Sequence, residues 1–143
     1  MGARPSRLDR HTFLVERPLG KKVAVALRES GFVIELFSDH FEDAAPDVEW
    51  IKKAAAEGWV VLTKDSEIRR HPIERMAIQN SGLRIFSLTR GNWTSQEMAQ
   101  AFIAAATRIV NLLKKTRGPF VARINKLGGI TTVAELGSYR DDH

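Results

Sequence analysis

The chain has no cysteine, one tyrosine and five prolines in 143 residues. It also lacks any run near the ~20 consecutive apolar residues that a membrane-spanning helix needs. The absence of cysteine excludes thiol catalysis, disulfides and thiolate zinc sites. Residues 1–10 carry Arg4, Arg7, Asp9 and Arg10 with no apolar stretch of signal-peptide type, so a soluble, cytoplasmic protein with no membrane partner is expected. Several phosphate and nucleophile motifs are missing too. Leu19-Gly20-Lys21 lacks the spaced glycine and the Ser/Thr of a P-loop, and no Gly-x-Gly-x-x-Gly follows a strand. No serine stands in a nucleophile elbow, and the first strand ends in a single acid, Glu16, where a receiver-type phosphoacceptor needs a pair. His11, His40, His71 and His143 show no partner spacing, which argues against zinc, and His71 before Pro72 reads as a helix-entry residue.

What the chain does have is a basic body with an acidic island. Lysine and arginine number 22 against 17 aspartates and glutamates, for a net charge of +5. That balance favours a polyanionic partner only weakly. Its distribution says more, because residues 31–60 hold Lys52 and Lys53 against Glu35, Asp39, Glu42, Asp43, Asp47, Glu49 and Glu57. A hydrophobic content of 43% in a chain of this length suffices for one domain with its own core.

Strand and helix patterns alternate along the chain. Thr12-Phe13-Leu14-Val15 reads as a strand, and Pro18 then suits the first turn of a helix. Leu19, Val23, Ala26 and Leu27 line one face of that helix until Gly31. A second strand, Phe32 to Phe37, leads through a loop to a helix with Trp50, Ile51, Ala54 and Ala55 inward, closed by Gly58. Trp59 to Thr63 reads as a buried strand ending at Lys64-Asp65. Pro72 opens a short helix with Ile73, Met76 and Ala77 expected on its inner side, and Leu83 to Leu88 is a fourth strand. Thr94 and Glu97 form a capping box for the longest helix, which runs through Met98, Ala101, Phe102, Ala105, Ile109, Leu112 and Leu113. Its small residues, Ala101, Ala104, Ala105 and Ala106, spread over more than one face, which suggests a docking or homodimer surface as readily as a central position. Phe120 to Ile124 is expected as an edge strand, and the tail from Lys126 as loosely ordered. Fourfold alternation predicts an α/β fold with a mainly parallel central sheet and helices on both faces, with ligands bound beyond the carboxyl ends of the strands.

Three acids fall on that edge: Glu16 after the first strand, Asp65 after the third, and Asp47 at the start of the helix leading into the third. Taken singly, Asp47 reads as a helix cap and Asp65 as a turn residue, whereas Glu16 is a poor turn former. Glu67 and Glu49, two positions beyond Asp65 and Asp47, neighbour the same edge. Like charges gathered there call for a neutralising cation, and oxygen ligands point to Mg²⁺ or Mn²⁺.

The segments Phe13-Leu14-Val15-Glu16-Arg17-Pro18-Leu19-Gly20, Ser38-Asp39-His40-Phe41, Pro46-Asp47-Val48-Glu49-Trp50 and Leu62-Thr63-Lys64-Asp65-Ser66-Glu67 resemble, in order and spacing, the PIN-like domains of VapC-type toxin ribonucleases. The resemblance covers about residues 12–125, leaving 1–11 and 126–143 as polar arms. It implies a three-layer PIN-like fold in which Glu16, Asp47 and Asp65 bind metal, Glu67 adds a more variable catalytic acid and Asp39 a supporting one. The first acid of the family pattern is usually Asp and here is Glu16, one methylene longer. The implied activity is Mg²⁺- or Mn²⁺-dependent hydrolysis of RNA phosphodiester bonds by the toxin of a type II pair, restrained by an antitoxin protein. A metal held by carboxylates orients water for in-line attack without a covalent nucleophile. Arg17, Lys21, Lys22, Lys64, Arg69, Arg70 and Arg90 then become candidates for holding the RNA backbone, with Trp93 a candidate base platform. The alternative is a catalytically silent PIN-like domain that binds RNA or a protein.

Overall fold

The computed structural model describes residues 8–137. Elements follow in the order β1 (Thr12–Val15), α1 (Gly20–Glu29), β2 (Val33–Leu36), α2 (Asp47–Ala56), β3 (Val60–Thr63), α3 (Pro72–Ser81), β4 (Arg84–Leu88), α4 (Ser95–Lys115), β5 (Phe120–Ile124) and β6 (Ile130–Glu135). One six-stranded sheet has the order β2-β1-β3-β4-β5-β6. All its pairings are parallel except β5 with β6. The fold is therefore α/β, as the alternating pattern predicts.

Each strand's alternation divides the core into two layers. Phe13, Val15, Val60, Leu62, Phe86, Phe120 and Ala122 face α1 and α4, while Leu14, Val61, Ile85 and Val121 face α2 and α3. Leu8, in a 3-10 turn at residues 8–10, is buried in the first layer and so belongs to the domain rather than to a polar arm. Residues 1–7 and 138–143 lie outside the described residues. The capping box forms as expected: the Thr94 hydroxyl accepts from the Glu97 amide, and the Glu97 carboxylate accepts from the Thr94 amide.

Two local expectations are corrected. Helix α3 turns Ala77 and Ile78 inward and leaves Ile73 and Met76 exposed, at 68% and 45%. Its few apolar residues fit two faces equally well, and Ile78 against Ile85 and Leu83 sets the one used. Strand β5 is not an edge, because residues 130–135, expected in a loose tail, pair with it as β6. Asn125 builds that hairpin: its carboxamide oxygen accepts from the amides of Leu127 and Gly129, and Gly128 supplies the positive φ of +84°. Helix α4 buries Ala99, Ala101, Ala105 and Ala106 in the layer shared with α1 and leaves Ala104 exposed.

Candidate active site

The chain leaves β1 towards β2 on one side and crosses to β3 on the other, so the sheet's switch point lies between the carboxyl ends of β1 and β3. Glu16 stands at the first end, its amide donating to the Leu62 carbonyl at 3.0 Å. On the face towards α2 and α3, the apolar row Leu14-Val61-Ile85-Val121 gives way one step further to Glu16-Thr63-Ser87-Arg123, continued by Thr132 of β6. Period-two alternation forces this: the position two residues on from each core residue shares its face at the strand end.

Glu16 is 6% exposed. The Thr63 hydroxyl donates to its Oε1 at 2.9 Å, and Arg17 Nε donates to Oε2 at 3.4 Å. Burial still wins and raises its pKa, helped by the charge of Asp47, against the lowering effects of Thr63 and Arg17. The Thr63 hydroxyl also accepts from the Asp65 amide at 3.1 Å, so one oxygen ties the two strand-end acids together. Asp65 forms the turn its position suggests, accepting the Glu67 amide at 2.9 Å, and His71 Nε2 lies 3.5 Å from its other oxygen.

Asp47 is the first residue of α2, with Pro46 in the cap position. Its Oδ1 accepts from Trp50 Nε1 at 2.8 Å and from Arg17 Nη2 at 3.2 Å. The Arg17 guanidinium thus spans Glu16 and Asp47, donates to the carbonyls of Asp43 and Ala45, and lies 4.3 Å from the Phe37 ring centre. A cleft of about 340 Å³ opens beside it on the β2 side, lined by Glu16, Arg17, Lys21, Phe37 and Asp43 among others.

The other predicted positions divide. Glu67 is held between Arg70, at 3.1 Å, and Arg123, at 3.2 Å. Asp39 is exposed on the 3-10 turn after β2, and among the described residues it shares no hydrogen bond with Glu16, Asp47 or Asp65. Arg17 is paired with Glu16 and Asp47. Lys21 borders the cleft, Lys22 lines a groove between α1 and α4, and Lys64, Arg70 and Arg90 are exposed on the carboxyl-end loops. Arg69 is half-buried. Trp93 packs against the first core layer and donates its indole N–H to the Thr89 carbonyl at 2.9 Å, which makes it a core-edge residue. Ser87, Arg123 and the contact of His71 with Asp65 escaped the sequence reading. Counting two residues beyond each core position would have found the first two.

The three acids expected to share a metal share partners instead: Arg17 joins Glu16 to Asp47, and Thr63 joins Glu16 to Asp65. Among the described residues no three Asp, Glu or His side chains are placed to hold one ion together. In donor type the site still fits a hard divalent cation. Its three acids offer carboxylate oxygens, with the Thr63 hydroxyl beside them, and burial raises the pKa of Glu16 even with Arg17 against it.

The family described as "PIN like domain" matches residues 12–90, which contain Glu16, Asp47 and Asp65. A Mycobacterium tuberculosis (strain H37Rv) protein named "Putative ribonuclease VapC45" is 30% identical over 120 residues, covering 80% of this chain and 86% of that protein. The chain belongs to the PIN-like domain family, in its VapC type. No solved structure matches. The PIN-like match ends at Arg90, whereas the row of polar strand ends continues to Arg123, so part of this site lies beyond the matched segment. No helix among the described residues is long and apolar enough to cross a membrane.

Proposed function

We propose that this PIN-like chain is a metal-dependent endoribonuclease, the cytoplasmic toxin of a type II toxin–antitoxin pair, with RNA as substrate and an antitoxin protein as its restraining partner. The observation that carries the proposal is the hydroxyl of Thr63, which joins the acids ending β1 and β3 across the sheet's switch point, where α/β folds bind ligands. The relative named as a putative ribonuclease supports the same reading. Homodimerisation is part of the proposal only as an assembly to be measured by sedimentation.

Glu16, Asp47 and Asp65 would hold Mg²⁺ or Mn²⁺, an ion whose chemistry when bound is to offset charge growing on phosphate oxygens and to favour water as the nucleophile. The chain's own residues do the rest. Thr63 fixes Glu16 Oε1 and the start of the Asp65 turn, so the two carboxylates keep their relation. Arg17 orients Glu16 and Asp47 from the other side. Lys21 at the cleft and the exposed Lys64 and Arg90 supply positive charge for the RNA backbone, and each such contact makes binding weaker in salt.

A second reading, a catalytically silent domain that binds RNA or a protein, is favoured by one observation: Arg17 already neutralises Glu16 and Asp47. Calorimetric titration with Mn²⁺ separates the two. The enzyme reading predicts a site in the wild type that is lost in Asp65→Asn, and the silent reading predicts no heat in either.

A further inference from the structure

Arg123 belongs to β5, two strands away from β3, yet its guanidinium reaches the turn that follows β3. Nη2 donates to the Ser66 carbonyl and to Glu67 Oε2, the latter at 3.2 Å. Neighbouring strands lie about 4.8 Å apart, so the side chain must extend across the end of β4. The residue it crosses is Ser87, its register partner, which is fully buried and small. Among the described residues, Ser87 Oγ and Arg123 Nε are buried without hydrogen-bond partners. Leaving such groups unpaired is costly, and an apolar side chain at position 123 would continue the core at lower cost. What the arginine gains is control of one turn. Glu67, fixed between Arg123 and Arg70, gives its amide to Asp65 Oδ1 at 2.9 Å, so the guanidinium's hold on Ser66 and Glu67 is passed to the Asp65 carboxylate.

We infer that Arg123 is a positioning residue for the reaction proposed above, pinning the turn of residues 64–70 from across the sheet so that Asp65 is aimed into the switch point. The inference rests on that reading of the site. It assigns Glu67 the role of an anchor between two arginines rather than that of a free acid.

The test compares wild type with Arg123→Gln and Arg123→Lys, at a temperature where each is folded, by three measurements: cleavage of a labelled RNA under Mg²⁺, calorimetry with Mn²⁺, and hydrogen exchange of the backbone amides. Arg123→Gln is expected to lower kcat and Mn²⁺ affinity about tenfold each, with KM within twofold, and to speed exchange at residues 65–70 while α4 is unchanged. Arg123→Lys keeps the charge and one donor and should recover part of each loss. A raised KM with unchanged kcat and a salt slope reduced by about one would mean a direct phosphate contact and overturn the inference. Lower global stability with unaltered kcat, Mn²⁺ affinity and local exchange would make Arg123 merely structural and overturn it as well. An active wild type with unaffected variants defeats this inference alone. A wild type that neither binds Mn²⁺ nor cleaves RNA defeats the functional reading and Arg123's role with it.

Discussion

Replacing Thr63 with valine removes one hydroxyl and leaves a side chain of similar shape in a fully buried position. Two interactions go with it: the hydrogen bond to Glu16 Oε1 and the acceptor for the Asp65 amide. A hydrogen bond to a charged group contributes about 1.5–3 kcal/mol, and Glu16, at 6% exposure, has little water to replace it. The Asp65 amide is partly buried and loses less. Together the change should cost about 3 kcal/mol, or a fall in Tm on the order of 10 °C for a chain of this size. Charge is the core of this reasoning, so the cost must depend on it. In a Glu16→Gln background the same Thr63→Val change breaks a neutral hydrogen bond, with a net cost of about 1 kcal/mol. Urea unfolding of the four proteins at pH 7 in EDTA gives a double-mutant cycle, with a coupling of about 1–2 kcal/mol expected. Equal costs in the two backgrounds, or a Thr63→Val cost below about 0.5 kcal/mol, would refute the link between Thr63 and the buried Glu16 carboxyl group.

The raised pKa of Glu16 has its own signature. The folded state holds that proton more tightly than the unfolded chain, so the group's stabilising contribution is complete below the unfolded value, 4.5, and is lost as pH rises through the raised folded value. Glu16→Gln should therefore gain stability relative to wild type between acid and neutral pH in EDTA, read as a growing difference in Tm, and a shrinking difference would reverse the assignment. Trp50→Phe removes the indole donor to Asp47 while keeping most of the packing, and should cost about 1 kcal/mol in urea unfolding, against about 3–5 kcal/mol for Trp50→Ala. Gly128→Ala places a Cβ 2.6 Å from the Ala104 Cβ at a φ of +84°, and should lower Tm by several degrees and loosen β6 in hydrogen exchange.

Periodicity reveals most of the fold because each core layer repeats it: Leu14, Val61, Ile85 and Val121 are apolar at matched positions. It fails where a pattern is short or shared. Ile73 and Met76 present as good a stripe as Ala77 and Ile78, and only the fit against Leu83 and Ile85 chooses between them. Strand β6 is mostly exposed, with threonines at 131 and 132, so its pairing rests on the Asn125 turn rather than on hydrophobicity. Of the candidate site, Glu16 and Asp65 are visible as strand-end acids and Asp47 as a helix-start acid. The use of Arg17 is not visible, since in sequence it is one more surface cation. Contacts across 26 to 30 residues turn it towards Asp43, Ala45 and Asp47. Arg123 is hidden for the same reason, with its partners 56 and 57 residues away.

The central claim is that the acids at this switch point carry metal-dependent RNA hydrolysis. It is tested most directly by incubating labelled RNA with purified wild type and with Asp65→Asn, in Mg²⁺ and in EDTA, after circular dichroism has shown both to be folded. The account predicts cleavage by wild type in Mg²⁺ only, and a loss of at least about 100-fold in Asp65→Asn, equivalent to about 2.7 kcal/mol of barrier. Equal cleavage by the two proteins, or wild-type cleavage undiminished by EDTA, would contradict it.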